Sequence, residues 1–301
     1  MIQNAKILLT GPTSQVGLPL ARELAKDHRV TGLARFSNPE AREQLEAAGV
    51  TCAAIDLAGG SLAGLDHDFD YVLHFGVVKT GQWEADLEAN VEGLGRLLAH
   101  CRRAKAVLHC SSGGVYAPPG HTPAKESDPL GDNHAGMMPT YSICKIAAES
   151  MARFAAREWN LPTTIARFSV PYGNNGGWPW YHLMMMKSGV PVPVHPDAPS
   201  LYNPIHEDDY IAQVPRMLEI ASVPATTVNW AGNEIVSVED WCAYIGELTG
   251  LEPKFEHVET AIASLPLDTT RMNDLVGEAR VGWREGIARM IEARNPELLK
   301  R

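Results

Sequence analysis

The 301-residue sequence has no paired cysteine motif, no long apolar run and no excess of positive charge. Cys52, Cys101, Cys110, Cys144 and Cys242 are scattered without a C-x-x-C spacing, which argues against a disulfide framework and a metal site and predicts reduced core thiols. Nothing approaches the ~20 consecutive apolar residues that span a bilayer, so a membrane is not an expected partner. A formal net charge of −10 makes nucleic acid an unexpected partner too, because neutralising phosphates takes a clustered basic surface. The opening stretch MIQNAKILLTGPTS lacks the apolar core of a secretory signal, and a cytoplasmic location is the expectation. A small molecule is left as the expected partner.

What is present over the first 170 residues is an alternation of short apolar runs and amphipathic stretches, the pattern of βαβ units feeding a parallel sheet. Strands are predicted at 5–10, 29–34, 50–55, 71–76, 106–112 and 163–169. Beyond residue 170, proline, glycine and aromatic residues cluster through PYGNNGGWPWYHLMMM and VPVPVHPDAP, which predicts long loops, with Leu183 to Met186 read as helix core. Helical patterns return at EDDYIAQVPRMLEIA, VEDWCAYIGELTG and WREGIARMIEARN. The predicted class is α/β: a Rossmann-type doubly wound parallel sheet over 1–170, and over 171–301 a smaller, mainly substrate-binding subdomain with elements returning to that sheet.

The first strand runs into TGPTSQVG and then a helix-forming stretch. Glycines there let the backbone turn tightly and approach a pyrophosphate at a helix N-terminus. Gly11, Thr13, Ser14, Gln15, Val16 and Gly17 are therefore candidate cofactor-binding residues. At the end of the second strand, NAD-preferring sites place an acid on the ribose 2′-hydroxyl. This chain has Ala34 there, followed by Arg35 and Ser37, a cation and a hydroxyl suited to a 2′-phosphate. NADP is the favoured cofactor and NAD the alternative, the competing reading of Arg35 being a surface arginine stacked on adenine. Asp56, with Leu57, is placed either to meet the adenine or to cap a helix. After the fourth strand, Phe75 and Gly76 open a segment whose small glycine lets backbone lie against the cofactor.

In PTYSICKIAAESMARFAA, a predicted helix, Tyr141 and Lys145 are four residues apart and share a face. A phenol is a poor acid or base near neutrality, and an adjacent ammonium stabilises its phenolate. Such pairs are common on helices by chance. Ser112 strengthens this one, because it falls at the C-terminal edge of the predicted sheet, where parallel sheets bind ligands.

With these segments in order, the chain resembles an extended short-chain dehydrogenase/reductase of the NAD(P)-dependent epimerase/dehydratase family. TGPTSQVG is similar to the family's TGxxGxxG, LEANVEGLGRLL to its NVxGTxxLL, SSGGVYA to its SSxxVYG and YSICK to its YxxxK. ARFSVPYG and YNPIHEDDY are similar to RxxNVYG and RDFIHVDD. The resemblance implies Tyr141 as proton donor or acceptor and Lys145 as the residue that activates it and holds the nicotinamide ribose. It further implies Ser112 on the substrate oxygen, Asn90 supporting the cofactor side, and Val170, Pro171 and Tyr172 under the nicotinamide. A homodimer through the helices of LEANVEGLGRLL and SICKIAAESMARF is also implied.

The chain departs from the family's pattern in informative places. Ser14 replaces the middle glycine of the turn, so the backbone approaches phosphate less closely or gains a hydroxyl contact. Tyr202 stands where many relatives carry an arginine for a nucleotide-sugar diphosphate, and Gly113 and Gly114 replace the Asp-Glu pair of sugar-nucleotide dehydratases. Trp178, Trp180 and His182, with Ser112, Gly113 and Tyr202, are candidate pocket residues, and they suggest a partly apolar substrate. The reading that results is an NAD(P)-dependent oxidoreductase moving a hydride between nicotinamide and a carbonyl or hydroxyl carbon. The alternatives are a sugar epimerase with bound NAD and a non-catalytic NADP(H)-sensing regulator.

Overall fold

The computed structural model describes residues 4–300. In chain order its elements begin with β1 (Lys6–Thr10), α1 (Gly17–Leu24), β2 (Arg29–Ala34), α2 (Pro39–Ala47), β3 (Thr51–Ala54), β4 (Tyr71–His74) and α3 (Trp83–Leu87). A π-helical turn, Glu88–Glu92, joins α3 to α4 (Gly93–His100); β5 (Ala106–Ser112), α5 (Tyr141–Glu158) and β6 (Thr163–Phe168) follow. Then come β7 (Pro171–Gly173), β8 (Gly176–Gly177), α6 (Trp178–Lys187), β9 (Val192–Val194), β10 (Leu201–Tyr202), β11 (Ile205–His206) and α7 (Glu207–Glu219). The chain ends with β12 (Thr226–Trp230), β13 (Val236–Ser237), α8 (Val238–Thr249), β14 (Phe255–His257), α9 (Thr270–Leu275) and α10 (Trp283–Arg294). No helix among the described residues is long and apolar enough to cross a membrane.

The principal sheet has seven strands in the order β12-β6-β5-β4-β1-β2-β3. From β3 inward this is the 3-2-1-4-5-6 order of a doubly wound dinucleotide fold, with β12 added at the far edge. β1 pairs in parallel with β2 and with β4, and β4 with β5. The sequence dictates which strands are central: ILLT of β1 and all of β5 are buried, as expected of parallel strands covered on both faces. The order reverses between β1 and β4, and the crevice beyond the C-terminal ends of these strands is where such sheets bind ligands.

Compactness divides the chain at more points than the sequence division at residue 170. One unit comprises the residues up to Ser112, Thr140–Arg167 and Gln213–Val228. The other comprises Gly113–Pro139, Phe168–Ala212 and the residues from Asn229 onward. In the first unit, α4 turns Leu94, Leu97 and Leu98 inward and α5 turns Ala148, Ala152 and Ala155 inward, in one cluster with Leu8, Val72, Val107 and Ile165. The alanines of α5 recur every three or four residues, which keeps one face of the helix narrow.

In the second unit the core is aromatic. Phe168 lies against Trp230 with ring centroids 4.4 Å apart and edge-on to Tyr210 at 5.4 Å. β11-β7-β8 form a small sheet, β10 pairs with β13, and β9 with β14. One expectation is corrected here: within the stretch read as long loops, the helix that holds Leu183 to Met186 begins already at Trp178 and runs to Lys187. Pro179 sits in its first turn, where the missing N–H costs nothing, and Pro179, Leu183 and Met186, spaced four and three apart, form its buried face. The prolines and glycines at 171, 173, 176, 177 and 179 punctuated a helix start as strongly as they would a loop.

Candidate active site

At the end of β1 the chain turns at Gly11 with φ +70°, and a Cβ there would stand 2.9 Å from Gly76 Cα. The backbones that leave β1 and β4 thus touch at the switch point, an approach that needs glycine at position 11. A Cβ on Gly17 would come within 2.1 Å of the Gly11 carbonyl oxygen. Ser14, in the place of the family's middle glycine, uses its hydroxyl inside the turn: it donates to Gly11 O at 2.8 Å and accepts from Gly17 N at 2.9 Å. The hydroxyl therefore braces the loop from within, which explains how the turn closes without a third glycine.

This turn borders a cavity of about 280 Å³. Of the residues expected to hold the cofactor, Gly11, Thr13, Ser14, Arg35, Ser37, Asp56, Leu57, Phe75, Gly76 and Asn90 line it together. Gln15, Val16, Gly17, Tyr141, Lys145, Val170 and Tyr172 do not. Phe36, Asn38, Ala41, Val77, Val78 and Ala89 join the lining without having been singled out in the sequence. Beyond β2 the wall reads Ala34, Arg35, Phe36, Ser37 and Asn38, with no carboxylate. Asp56 also turns on itself, Oδ1 accepting from Ala58 N at 3.0 Å. A cradle of glycine backbone opening beside a helix, with a cation and hydroxyls past β2, fits a dinucleotide.

Asn90 sits in the π-helical turn. Its Oδ1 accepts from Val78 N at 2.8 Å, and its Nδ2 donates to Val78 O and Asp86 O, each at 2.7 Å. Asp86, one turn earlier and fully buried, was missed by sequence reasoning. Its carboxylate accepts from Thr80 N at 3.0 Å, Thr80 Oγ1 at 2.7 Å, Gly81 N at 3.0 Å and Thr140 Oγ1 at 2.6 Å. Burial works to raise this carboxyl, and the hydrogen bonds outweigh it, leaving it below the ordinary carboxylate value. Asp86 therefore ties the loop beside the cavity to Thr140, the residue before Tyr141. The available signal was an acid four residues before Asn90 on one helix face.

Tyr141 begins α5, half-buried, and Lys145 follows one turn later, buried. The Lys145 ammonium donates to Cys110 O at 2.7 Å and lies 6.0 Å from the centroid of the Tyr141 ring. Ser112 closes β5, two residues beyond that carbonyl, and is buried as well. The sheet edge and the helix are locked by a buried carboxylate. Glu149, one turn past Lys145, accepts from Ser111 Oγ at 2.7 Å and from Arg167 Nε and Nη2 at 2.9 Å each. Beneath Lys145, His74 and His109 stack with Nδ1 atoms 3.1 Å apart. Burial, then the Lys145 charge, holds His109 at about 3, and His74 is likewise lowered, so both imidazoles are neutral.

In the second unit, Trp178, His182 and Tyr202 line a separate cavity of about 70 Å³. Trp180 does not join them: its indole donates to Asn295 Oδ1 at 3.1 Å, and Arg294 lies over its ring. Gly113 is buried, its missing Cβ facing Leu265 and Leu267. Tyr172 is wholly buried, and its hydroxyl donates to Trp283 O at 3.2 Å. Val170 has φ +38°, a strained value for a β-branched residue. Among the described residues no group of three His, Cys, Asp or Glu side chains could hold a metal ion.

The sheet order, the glycine cradle and the Tyr141–Lys145 helix define an NAD(P)-dependent enzyme of the short-chain dehydrogenase/reductase type. The model of the NAD dependent epimerase/dehydratase family matches residues 7–229, and the chain belongs to that family. No curated protein matches the sequence. Among solved structures, a UDP-glucuronic acid 4-epimerase from Bacillus cereus, in complex with UDP-glucuronic acid and NAD, is 19% identical with a TM-score of 0.81, covering 96% of this chain and 98% of that one. A UDP-N-acetylglucosamine 4-epimerase from Methanobrevibacter ruminantium M1 is 16% identical with a TM-score of 0.84, covering 98% and 100%. A UDP-glucose 4-epimerase from Thermotoga maritima is 20% identical with a TM-score of 0.80, covering 97% and 99%. At these identities the shared property is the fold.

Proposed function

We propose that this protein is an NADP(H)-dependent oxidoreductase acting on a carbonyl or hydroxyl carbon of a small, partly apolar substrate. The observation that carries the reading is the buried Lys145 ammonium, anchored on Cys110 O one helical turn from Tyr141. When bound, the nicotinamide supplies or accepts the hydride. In reduction, the Tyr141 phenol gives its proton to the substrate oxygen as that oxygen gains charge, and Lys145 stabilises the phenolate left behind. In the reverse direction the phenolate takes the hydroxyl proton. Ser112 hydrogen-bonds the same oxygen and orients the carbon. Gly11, Ser14 and Gly76 form the pyrophosphate cradle, and Asn90 and Asp86 hold its far wall.

NADP preference is supported by the lining past β2, where Arg35, Ser37 and Asn38 stand and no carboxylate does. A cytoplasmic setting is supported by the five cysteines, all free thiols. A homodimer is supported by Ile143 and Phe154 of α5, both exposed and eleven residues apart, hence on one face of the helix. A second reading, a sugar epimerase with tightly held NAD, is favoured by the epimerases among the similar structures.

The decisive variant is Tyr141→Phe. It is expected to lower kcat for NADPH-dependent carbonyl reduction by ~10²- to 10⁴-fold while NADP(H) binding is kept, and unchanged turnover would sink the proposal. Cofactor stoichiometry separates the two readings: steady NADPH consumption with a carbonyl substrate supports the oxidoreductase. Isomerisation of a sugar without net consumption, by protein that retains NAD through purification, supports the epimerase.

A further inference from the structure

The Asp86 carboxylate is wholly inaccessible to solvent, and none of its four hydrogen-bond donors is a cation. A charge buried without a counter-ion is costly unless both oxygens are well satisfied. Here they are, and they face different elements. Oδ1 accepts from Thr80 N and Thr80 Oγ1, in the loop after β4. Oδ2 accepts from Gly81 N at 3.0 Å and from Thr140 Oγ1 at 2.6 Å, so a single atom joins that loop to the start of α5. Asparagine has one acceptor oxygen in place of two, and an amide would keep only part of this junction.

Thr140 is the N-cap residue of α5, yet its side chain makes no capping bond to that helix. A threonine in this place ordinarily turns its oxygen back onto the first N–H groups of its own helix. Thr140, 1% exposed, instead donates outward to Asp86. On the other side of Tyr141, the Ser142 hydroxyl is buried and has no hydrogen-bond partner. The bond to Asp86 therefore anchors the turn in which Tyr141 stands, at a helix end, where fraying is greatest. The first backbone bond of α5, from Cys144 N to Thr140 O at 2.9 Å, closes on the same residue. Lys145, a turn farther in, has its own anchor on Cys110 O. Of the pair, Tyr141 is the one whose place depends on how the helix starts.

The same carboxylate reaches the dinucleotide cavity. Val77 and Val78 line it, and Val78 is held at both N and O by Asn90, whose Nδ2 also donates to Asp86 O. A chain of hydrogen bonds within one unit thus runs from the cavity wall through Asn90 and Asp86 to Thr140, next to Tyr141.

We propose that Asp86 is a positioning residue for the reaction: acting through Thr140, it fixes Tyr141 in the frame of the cofactor-cavity wall, so that proton donor and hydride carrier keep one registration. The proposal rests on the oxidoreductase reading for what Tyr141 does, and on the hydrogen-bond chain for how Tyr141 is held. Misplacing a reacting group by about 1 Å costs on the order of 10²-fold in rate, which sets the size of the expected effect.

The test removes one hydroxyl from the full chain. Thr140→Val keeps the shape of the side chain and leaves Asp86 its other three donors. It is expected to lower kcat for NADPH-dependent carbonyl reduction by ~10- to 100-fold and to change KM for NADPH by less than about twofold. Amide hydrogen exchange at Cys144 should quicken by about tenfold while exchange in β5 stays as in wild type. Thr140→Ser, which keeps the hydroxyl, should return both kcat and exchange toward the wild-type values. Should Thr140→Val fail to fold, Thr140→Ala carries the same comparison. Unchanged kcat, unchanged Cys144 exchange, or a loss that Thr140→Ser repeats in full overturns the positioning role, and leaves the oxidoreductase reading standing if Tyr141→Phe still abolishes turnover. Wild-type protein that consumes NADPH on no carbonyl sinks the oxidoreductase reading alone; Cys144 exchange still decides whether Asp86 holds the turn of Tyr141.

Discussion

The cavity at the ends of β1, β2 and β4 is bordered by a glycine turn and short hydroxyl side chains, with apolar side chains such as Leu33, Ile55 and Phe75, whereas the cavity beside α6 is bordered by the rings of Trp178, Tyr202 and His182. In the first, geometry is set by what cannot be there: a Cβ on Gly11 or Gly17 has no room. In the second, geometry is set by which side chains are there, and their polar atoms are mostly spent on each other and on the backbone. The contrast teaches where change is tolerated. A backbone cradle admits no side chain at its glycines, while a side-chain pocket is redrawn by one substitution.

That contrast can be broken at the lock beneath the cradle. Glu149→Ala leaves Arg167, 3% exposed, without its carboxylate, and is expected to destabilise the fold by about 3–5 kcal/mol, measured by urea unfolding. A loss below 1 kcal/mol would show that α5 needs no ionic lock. Next in size, Asp86→Ala removes four hydrogen bonds and is expected to cost about 2–3 kcal/mol. If Asp86 positions Tyr141, kcat falls in this variant while KM for NADPH changes less, and Asp86→Asn restores part of kcat.

Acidity tests the neutral histidine pair. An unfolded imidazole takes a proton near 6.5, and folded His109 does so only at about 3. Across that window the unfolded chain binds more protons, so stability falls as pH drops from 6.5 toward 3, by at most ~1.4 kcal/mol per pH unit for this group. His109→Gln is expected to flatten the melting-temperature profile over that range, and an unchanged slope would assign the acid sensitivity to other groups. The smallest expected effect sharpens the cofactor comparison: Arg35→Ala, at an exposed position, should raise the Kd for NADPH about tenfold, or ~1.4 kcal/mol, and leave NADH unchanged. Equal losses for both would make Arg35 an adenine-stacking residue.

How much of this was legible in the sequence follows from the range of the interactions. All six strands expected over the first 170 residues form, within two residues of their expected ends, because continuous apolar runs between glycine turns have few other uses. Tyr141 and Lys145 were legible because a helix fixes the spacing of residues four apart. Leu183 to Met186 was legible as helix core, but the start of that helix at Trp178 was misread as loop because local punctuation does not say what a segment packs against. Asp86 was passed over because its partners, Thr80 and Thr140, meet it only after folding.

By itself, then, the sequence determined the strand pattern, the glycine turn and the Tyr141–Lys145 pair, all of which depend on neighbours within a few residues. Tertiary structure alone decided that Trp180 and Tyr172 are spent on the packing of the second unit and that the Asp86 carboxylate finds Thr140. Those outcomes turn on contacts between residues far apart in the chain, and no local spacing encodes which distant group a buried polar atom will find.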